Sequence, residues 1–347
     1  MNGYERIVAA IQRKQPDRIP IMEWSIHPNV INGICPGGSM YDLVEALDLD
    51  GIGVGGRHVP KHWETKEKVY VNPWGIKYGR TAEAYAPIEG PIVTEADADR
   101  YVAPDPWDEA MVADVRVAAK RFKGKKFIAY LTRSDFMFAA DLHGITNLLT
   151  DFVDNPRLAH KVTQIVSDYY CELVRAAIKA GADGVVLADD WAFNTAPMMS
   201  PKHFQQFVLP YFKRAVDIVH DAGGYAIKHS DGNIWPILEM TVNTGVDAIN
   251  PIQPDAGMDI GEVKQKYGQR VCLIGNINCG YTLSEAPIEQ VVRETKEAIR
   301  KAGPGGGFVM MSSNSLHSSV NPKNYRAMVE TTKRYGVYPL DARALAA

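Results

Sequence analysis

Cysteine is scarce in this chain of 347 residues. The sequence has four cysteines, and none of them forms a Cys-x-x-Cys pair. Small secreted domains that rely on disulfides use several closely spaced cysteines, so this usage argues against a disulfide framework. We therefore expect a reducing, cytoplasmic setting.

The chain also lacks an excess of charge of either sign and any long apolar run. Its formal net charge is −3, with 46% hydrophobic and 23% charged residues, which is ordinary for a globular protein. A balance so close to neutral gives no sign of binding to nucleic acid or to an anionic membrane surface. No stretch approaches the roughly 18 apolar residues typical of a membrane-spanning helix. We expect neither nucleic acid nor a membrane among its partners.

A Gly-x-Gly-x-x-Gly motif between a strand and a helix is missing too, which counts against a dinucleotide-binding fold. What is present is a regular alternation of strands and helices. The strands begin near residues 19, 51, 127, 184, 225, 248, 271 and 308. Most are apolar runs without alternation, which is typical of parallel strands covered on both faces. Eight such units predict an α/β fold, a closed (β/α)8 TIM barrel that spans 1–347 as a single domain.

Two additions to the barrel are predicted. The apolar spacing from Tyr4 to Gln12 indicates an N-terminal helix. Residues from about 63 to 91 carry short alternating runs around turn residues, which predicts a hairpin insertion after the second strand. The insertion is either part of a lid or surface decoration.

The stretch Tyr225–Asn233 organises the prediction of the site. It begins as a buried strand and ends with His229 and Asp231, two residues apart. Residues i and i+2 of an extended chain point to the same side, so both side chains can face one pocket. Active sites of α/β barrels form at the C-terminal ends of the strands. Asp189 and Asp190 end the preceding strand and face opposite ways, and we favour Asp190 because it lies nearer the mouth.

Other strand ends supply further polar groups to the predicted mouth. Each of them has a structural alternative, because barrel rims often carry charges that have no chemical task. These residues are Glu23, Arg57, His58, Arg133, Asp135, Gln253, Asn276, Asn278, Ser312 and Asn314.

Five motifs, spread over nearly the whole chain, carry a family resemblance. They are Glu5-Arg6 with Ala9-Ala10 and Pro16-Asp17-Arg18-Ile19-Pro20, then Asp189-Asp190, Pro201-x-x-Phe204-x-x-Phe207-x-x-Pro210-Tyr211, His229-x-x-Gly232-Asn233 and Gly275-Asn276-Ile277. In this order they resemble the uroporphyrinogen decarboxylase superfamily. The resemblance implies a (β/α)8 barrel, in agreement with the strand count.

Two branches of that superfamily differ in the loop after the first strand. Decarboxylases similar to the name-giving enzyme carry arginines there, which grip the many carboxylates of the substrate. This chain has Glu23-Trp24-Ser25-Ile26-His27-Pro28-Asn29 instead, with no arginine. Coulomb repulsion by a carboxylate disfavours that tetrapyrrole substrate, which leaves a smaller carboxylated substrate as the decarboxylase alternative.

The other branch contains corrinoid-dependent methyltransferases. Those that methylate coenzyme M hold zinc with His-x-Cys and a distant cysteine. Here the pair is His229-x-Asp231, and the third position falls near Ser312-Ser313-Asn314, with no thiol. Thiolates suit a zinc ion that activates a substrate thiol, so a methylcobamide:thiol methyltransferase is the weaker alternative. The chain more closely resembles the aryl-ether O-demethylase methyltransferases.

This resemblance implies transfer of a methyl group from a small aryl methyl ether to Co(I) of cobalamin. The chain has no Asp-x-His-x-x-Gly motif, so the cobalamin is expected on a separate corrinoid protein. The departing oxygen needs a general acid or a Lewis acid. We assign catalysis to His229, Asp231 and Asp190, either as acid groups or with His229 and Asp231 as ligands of a zinc ion.

The aromatic and apolar residues near the mouth are expected to sandwich the substrate ring. The predicted substrate-binding residues are Glu23, Trp24, Phe136, Trp191, Asn276, Asn278 and Met311. In a third interpretation, the barrel binds a corrinoid or a partner protein and catalyses no reaction itself. The cluster of ionisable residues disfavours it.

Overall fold

The computed structural model describes residues 1–56, 58–60, 64–82 and 84–346. Arg57, predicted at the barrel mouth, and Trp63 and Glu83, within the predicted insertion, lie outside the described residues. The strands are β1 Gly51–Val54, β2 Val69–Val71, β3 Lys77–Arg80, β4 Tyr85–Glu89, β5 Phe127–Arg133, β6 Gly184–Ala188, β7 Tyr225–His229, β8 Ala248–Asn250, β9 Cys272–Ile277 and β10 Phe308–Ser312.

The helices follow the strands along the chain. They are α1 Gly3–Ile11, α2 Pro28–Ile34, α3 Met40–Ala46, α4 Glu95–Arg100, α5 Ala113–Phe122, α6 Asp135–His143, α7 Ile145–Asp151, α8 Pro156–Ala180, α9 Pro201–His203, α10 Leu209–Asp221, α11 Trp235–Val242, α12 Ile260–Tyr267, α13 Ile288–Ala302, α14 Pro322–Tyr335 and α15 Ala342–Ala346. A π-helical turn, Phe204–Val208, joins α9 to α10. Within the described residues, no helix combines the length and the apolar character needed to cross a membrane.

Seven strands form one parallel sheet in the order β1-β5-β6-β7-β8-β9-β10. Every residue of β1, β8, β9 and β10 is buried, as expected for parallel strands that are covered on both faces. The sheet curls with helices on its outer side. This confirms the predicted α/β fold of the TIM-barrel type.

The first predicted strand differs from the expectation. Residues 20–23 are an extended segment that closes the sheet between β10 and β1 without a continuous ladder. On one side Met310 N donates to the carbonyl oxygen of Pro20 (2.8 Å), and on the other Gly53 N donates to that of Glu23 (3.1 Å). Proline has no N–H to contribute, which interrupts the ladder at this point.

Side chains that point into the barrel form one buried cluster. Its members are Met22, Trp24, Phe127, Ala129, Val186, Ile227, Ala248, Cys272, Ile274, Val309 and Met311, with Ile7, Ala10 and Ile11 of α1 packed against them. The cluster takes alternate residues of each strand, because successive side chains point to opposite faces. The same inward face therefore continues from Ile227 to His229 at the C-terminal end of β7.

The predicted insertion is confirmed as a small antiparallel sheet in the order β2-β3-β4. It is anchored on the helical layer by Trp74, whose ring packs edge-on against Phe138 of α6 (4.7 Å between centroids) and Tyr169 of α8 (4.6 Å). Tyr78 of β3 also donates a hydrogen bond to Asp141 (3.1 Å). The insertion therefore packs against the helical layer, next to α6 and α8.

Candidate active site

Three ionisable side chains meet at the C-terminal ends of β6 and β7. His229 Nε2 lies 3.9 Å from Asp190 Oδ1 and 3.7 Å from Asp231 Oδ1. One nitrogen or oxygen atom from each residue lies within 4.8 Å of the other two. The structure thus brings together the three residues that the sequence assigns to catalysis, which we call the triad.

The backbone at the end of β7 allows this convergence. Asp231 N donates to Asp190 Oδ1 (3.0 Å), which ties the two strand ends together. Gly232 then turns the chain with φ +86°, where a Cβ atom would lie 2.5 Å from the carbonyl oxygen of Ala192. A side chain at this position would be strained and would clash, so glycine is needed for the turn.

Asn250 decides which nitrogen of His229 carries the hydrogen. Its Oδ1 lies 2.9 Å from the indole Nε1 of Trp24 and 2.5 Å from Nδ1 of His229. An indole N–H can only donate, so the atom that faces it is the amide oxygen, and the amide nitrogen donates to the carbonyl oxygen of Ile274 (3.1 Å). The same oxygen then requires the hydrogen on Nδ1 of His229. In the neutral form of this ring, Nε2 is bare and faces the two carboxylates.

Asp231 shows that these groups fit a cation. Its Oδ2 accepts from Nδ2 of Asn314 (2.5 Å), whereas its Oδ1 is buried and has no hydrogen-bond partner in the described part of the chain. Burial raises the pKa of Asp231 above the ordinary aspartate value. A bare nitrogen and two carboxylate oxygens converge, and only a cation or a proton makes such a convergence favourable. One imidazole and two carboxylates are ligands that Zn²⁺ accepts.

Removing the Asn250 amide should loosen this arrangement. In Asn250→Ala, His229 loses the acceptor that selects its tautomer, and we expect zinc affinity to fall about 10- to 100-fold, as for other groups that orient a metal ligand. Zinc titration measures the affinity, and ¹⁵N NMR of the imidazole in the metal-free protein reports the tautomer. Asn250→Asp keeps an acceptor and is the control, expected to keep the Nδ1–H tautomer. Wild-type affinity together with a single tautomer in Asn250→Ala would contradict this role.

The main cavity of the barrel mouth lies beside the triad and has a volume of about 640 Å³. Asn314 belongs to both, since it lines the cavity and holds Asp231. Gln253 also lines it and accepts from Gly232 N (2.8 Å). The other described lining residues are Ser25, His27, Val59, Pro60, Ala84, Tyr85, Asp255, Cys279, Gly280, Ser313, Ser315, Leu316 and His317. None of these described residues is a lysine or an arginine.

Cys279 places a thiol beside the loop where the sequence indicated none. Its Sγ donates to the carbonyl oxygen of Asn314 (3.2 Å), although the residue lies far from this loop in sequence. Burial raises the pKa of the thiol to about 11, so it is protonated at neutral pH. It does not belong to the group of potential ligand atoms around His229.

Glu23 lies behind the site and is fully buried. Ser312 Oγ is 2.8 Å from Glu23 Oε1 and 2.5 Å from the carbonyl oxygen of Asn314. One hydroxyl hydrogen cannot serve both acceptors, so a protonated Glu23 that donates to Ser312 satisfies all three groups. Burial raises the pKa of Glu23 to about 8, which agrees with a neutral carboxyl. Glu23 supports the Asn314 loop and lines no described cavity of this face.

This buried carboxyl should make stability depend on pH. Its pKa is higher in the folded chain, so the folded state keeps a proton that the unfolded state releases between pH 4.5 and about 8. Stability should therefore fall as pH rises through this window, by up to about 1.4 kcal/mol per pH unit. Glu23→Gln should flatten that slope in urea unfolding at pH 5 to 8, whereas the exposed Glu285→Gln should not. An unchanged slope in Glu23→Gln would refute a neutral Glu23.

Lys228 is a buried cation next to the triad that sequence reasoning did not select. Its Nζ donates to the carbonyl oxygens of Asp189 (2.5 Å) and His229 (2.7 Å) and lies 3.4 Å from the centre of the Trp191 ring. Burial lowers the pKa of Lys228 to about 7. Lys228 thus links the ends of β6 and β7 from the outer face. The only sequence signal was its place next to His229.

The predicted substrate-binding residues other than Glu23 divide into three groups. Trp24 reaches Asn250 and lines a side cavity of about 370 Å³. Asn276 and Asn278 line a different groove, between the β8 and β9 ends and α13. Asn278 also accepts from Tyr281 N (2.8 Å) there.

Phe136, Trp191 and Met311 are buried in the protein core. Asp189 faces away from the triad, and its carboxylate accepts from the backbone N–H of Phe136 (3.1 Å) and the indole of Trp191 (2.8 Å). Trp191 then packs against Phe212 of α10 in the helical layer, while Met311 belongs to the barrel interior. The structure does not bring these three side chains to a described cavity, so the expected aromatic sandwich is not formed by them.

Comparisons with known proteins agree with this fold. Residues 70–335 match the family model described as Uroporphyrinogen decarboxylase (URO-D). The uroporphyrinogen decarboxylase of Colwellia psychrerythraea is 27% identical over 261 residues, which cover 71% of this chain and 70% of that protein. The uroporphyrinogen decarboxylase of Vibrio cholerae is 27% identical over 266 residues, which cover 72% of each.

Solved structures show the same architecture. A methyltransferase from Methanosarcina mazei superposes with a TM-score of 0.75 at 17% identity, covering 96% of this chain and 99% of that one. A B12-independent methionine synthase from Shewanella sp. reaches a TM-score of 0.58 at 12% identity, covering 95% of this chain and 100% of that one. At these identities the likeness concerns the fold.

Proposed function

This chain belongs to the uroporphyrinogen decarboxylase family, and we propose that within it the protein is a corrinoid-dependent methyltransferase, an O-demethylase. It moves the methyl group of a small aryl methyl ether to a corrinoid that a separate protein carries. The observation that carries this proposal is the triad, in which the imidazole Nε2 of His229 and two carboxylate oxygens converge beside an open cavity. A methyltransferase with the same fold supports it.

The cavity lining weighs against the decarboxylation of a tetrapyrrole. A substrate with many carboxylates needs several cations, and the described residues that line the 640 Å³ cavity include Asp255 but no lysine or arginine. Ser25 and His27 occupy the wall to which the loop after the first strand contributes. The names of the curated relatives favour a decarboxylase as the second candidate, in which case a substrate with few carboxylates is expected.

The task of the triad is to help the ether oxygen leave as the methyl group is transferred. His229 Nε2, Asp190 and Asp231 would hold a divalent cation such as zinc, which when bound supplies Lewis acidity to that oxygen. Asn250 holds the imidazole in the tautomer that coordination requires. Asn314 fixes Asp231 and also lines the cavity, so it places the ether next to the triad.

A protonated triad is the alternative source of assistance. Burial raises the pKa of Asp231, so its carboxyl group is suited to donate a proton to the departing oxygen. The corrinoid partner supplies the nucleophile that accepts the methyl group. This division explains why a chain without a corrinoid motif can take part in the reaction.

Methyl transfer can be tested directly. The purified protein is incubated with a reduced corrinoid protein and a panel of methoxyarenes, and we expect the absorption spectrum of methylcobalamin to appear with at least one of them. His229→Ala is the matched control and should give none. Carbon dioxide release from a carboxylated substrate, with no methylcobalamin from any methoxyarene, would replace this proposal by the decarboxylase.

A further inference from the structure

A small cavity adjoins the main one at the barrel mouth. It has a volume of about 170 Å³ and shares Val59 and Tyr85 with the 640 Å³ cavity. Its other described lining residues include the rings of Tyr78, Phe138 and Tyr170, together with Arg133 and His58. Neither the triad nor the predicted substrate-binding residues belong to it.

Arg133 lies in the same row of the sheet as His229. It ends β5 and pairs with Ala188 of β6, which in turn pairs with His229 of β7. Paired residues of neighbouring parallel strands point to the same face, and the strands are ~4.8 Å apart, so the two backbones are about 10 Å apart. Ala188, the residue of β6 that pairs with both, contributes no more than a methyl side chain to this row. A single aromatic ring with one substituent at each end is suited to such a gap.

The guanidinium of Arg133 is held on one side and open on the other. Within the described residues its hydrogen bond goes from Nη2 to Asp141 Oδ2 (3.1 Å), and the same oxygen accepts from the hydroxyl of Tyr78 (3.1 Å). A guanidinium has five N–H donors in a rigid fork. The other donors have no acceptor in the described part of the chain, and 41% of the side chain is exposed.

His58 adds a second donor to this cavity. Its Nε2 lies 3.3 Å from the indole Nε1 of Trp74 and 3.1 Å from the hydroxyl of Tyr169. An indole N–H can only donate, so Nε2 accepts and the ring hydrogen is on Nδ1. Burial lowers the pKa of His58 to about 4, so the ring is neutral. Its Nδ1–H has no acceptor among the described residues.

Arg133 is the cationic side chain among the described residues that line the cavities of this face. Of the described residues that line the cavities of 640, 170 and 370 Å³ at this face, Arg133 is the one lysine or arginine. The described lining of the small cavity contains no aspartate or glutamate. The unpaired N–H groups of Arg133 and His58 favour a ligand group that has only hydrogen-bond acceptors. A carboxylate is such a group, and a guanidinium binds it with two parallel hydrogen bonds.

We propose that Arg133 and His58 form a subsite for a carboxylate on the aromatic ring of the substrate. The subsite orients the ring so that its ether group faces the triad, and in this respect it rests on the proposed function. It selects methoxyarenes that carry an anionic substituent over neutral ones. Asp141 and Tyr78 are positioning residues, since they hold the guanidinium in place.

Binding of two ring-matched probes tests the subsite without any turnover. Isothermal titration with 4-methoxybenzoate and 4-methoxybenzyl alcohol should show tighter binding of the carboxylate by the wild-type protein. Arg133→Gln should weaken binding of the benzoate roughly 10- to 100-fold, the effect of losing charged hydrogen bonds. Binding of the alcohol should change by less than about threefold, within the range of a surface substitution.

The controls separate a lost contact from a damaged fold. Arg133→Gln leaves the buried Asp141 without its cation, so the pair Arg133→Gln and Asp141→Asn is made as well and should show the same selective loss. Arg116→Gln removes an exposed arginine that pairs with Glu109 and should leave both probes unaffected. Equal affinity of the wild-type protein for both probes, or equal weakening of both by Arg133→Gln, would overturn the subsite.

The outcome also separates this inference from the proposed function. If the benzoate binds through Arg133 and no methoxyarene gives methylcobalamin, the subsite stands and the methyltransferase proposal fails. If methyl transfer occurs with the same kcat/KM from both probes in wild-type protein and in Arg133→Gln, the methyltransferase stands and the subsite fails.

Discussion

Replacing His229 with alanine is expected to lower the rate of methyl transfer by roughly 10²- to 10⁴-fold, the range for losing a general acid or base. The substitution removes the imidazole of the triad, whose Nε2 lies within 4 Å of both carboxylates. It should also reduce the zinc content of the protein. Stopped-flow absorbance measures methylcobalamin formation, and elemental analysis of the purified protein measures zinc.

A second histidine provides the control for this prediction. His220 of α10 also faces a carboxylate, with Nε2 2.8 Å from Asp247 Oδ2, but it is partly exposed and lies at the end of the helix that precedes β7. His220→Ala should keep the wild-type rate and zinc content. Near-wild-type turnover in His229→Ala would remove the imidazole from the mechanism.

Replacing Asp231 with asparagine should cost a similar factor in rate, roughly 10²- to 10⁴-fold. The side chain keeps its size but loses its negative charge. In the wild-type protein, Oδ1 of Asp231 has no hydrogen-bond partner among the described residues. A buried polar atom without a hydrogen bond is unfavourable, so the metal-free variant should unfold at the same temperature as the wild type or at a higher one. Reduced activity with undiminished stability is typical of a residue kept for function.

This variant also separates the two roles left open for Asp231. If Asp231 is a ligand, zinc content and rate fall together in Asp231→Asn. If it donates a proton, the rate falls while zinc content does not change. Asp255→Asn, which removes another carboxylate of the cavity wall, is the control and should affect neither as strongly. Wild-type turnover in Asp231→Asn would exclude both roles.

Glu23 illustrates the limit of strand ends as a guide to site residues. The sequence places Glu23 and Trp24 at the exit of one extended segment, where adjacent side chains point to opposite faces. The sequence does not say which of the two faces inward. Packing decides it, because Trp24 enters the barrel interior and Glu23 turns to the outer layer. Glu23, which the sequence predicts to contact the substrate, instead supports the Asn314 loop through Ser312.

Asn250 illustrates what local sequence does not contain. In the sequence it is a polar residue at the end of a short strand. Its hydrogen-bond partners, Trp24 and His229, come from distant parts of the chain. Arg133 was visible as a strand end, but its neighbours in the small cavity come from the insertion and from the helical layer. Such groups gain their role only when separate segments meet.

The sequence by itself determined the barrel, the insertion and the presence of His229, Asp231 and Asp190 at one end of the sheet. Those features depend on local periodicity, since apolar runs mark parallel strands and alternation places residues i and i+2 on one side. The tertiary structure alone decided the tautomer of His229, the outward turn of Glu23, the burial of Phe136 and Trp191, and the donors around Arg133. Each of these depends on contacts between side chains remote in sequence, and the chain pattern carries no information on such contacts.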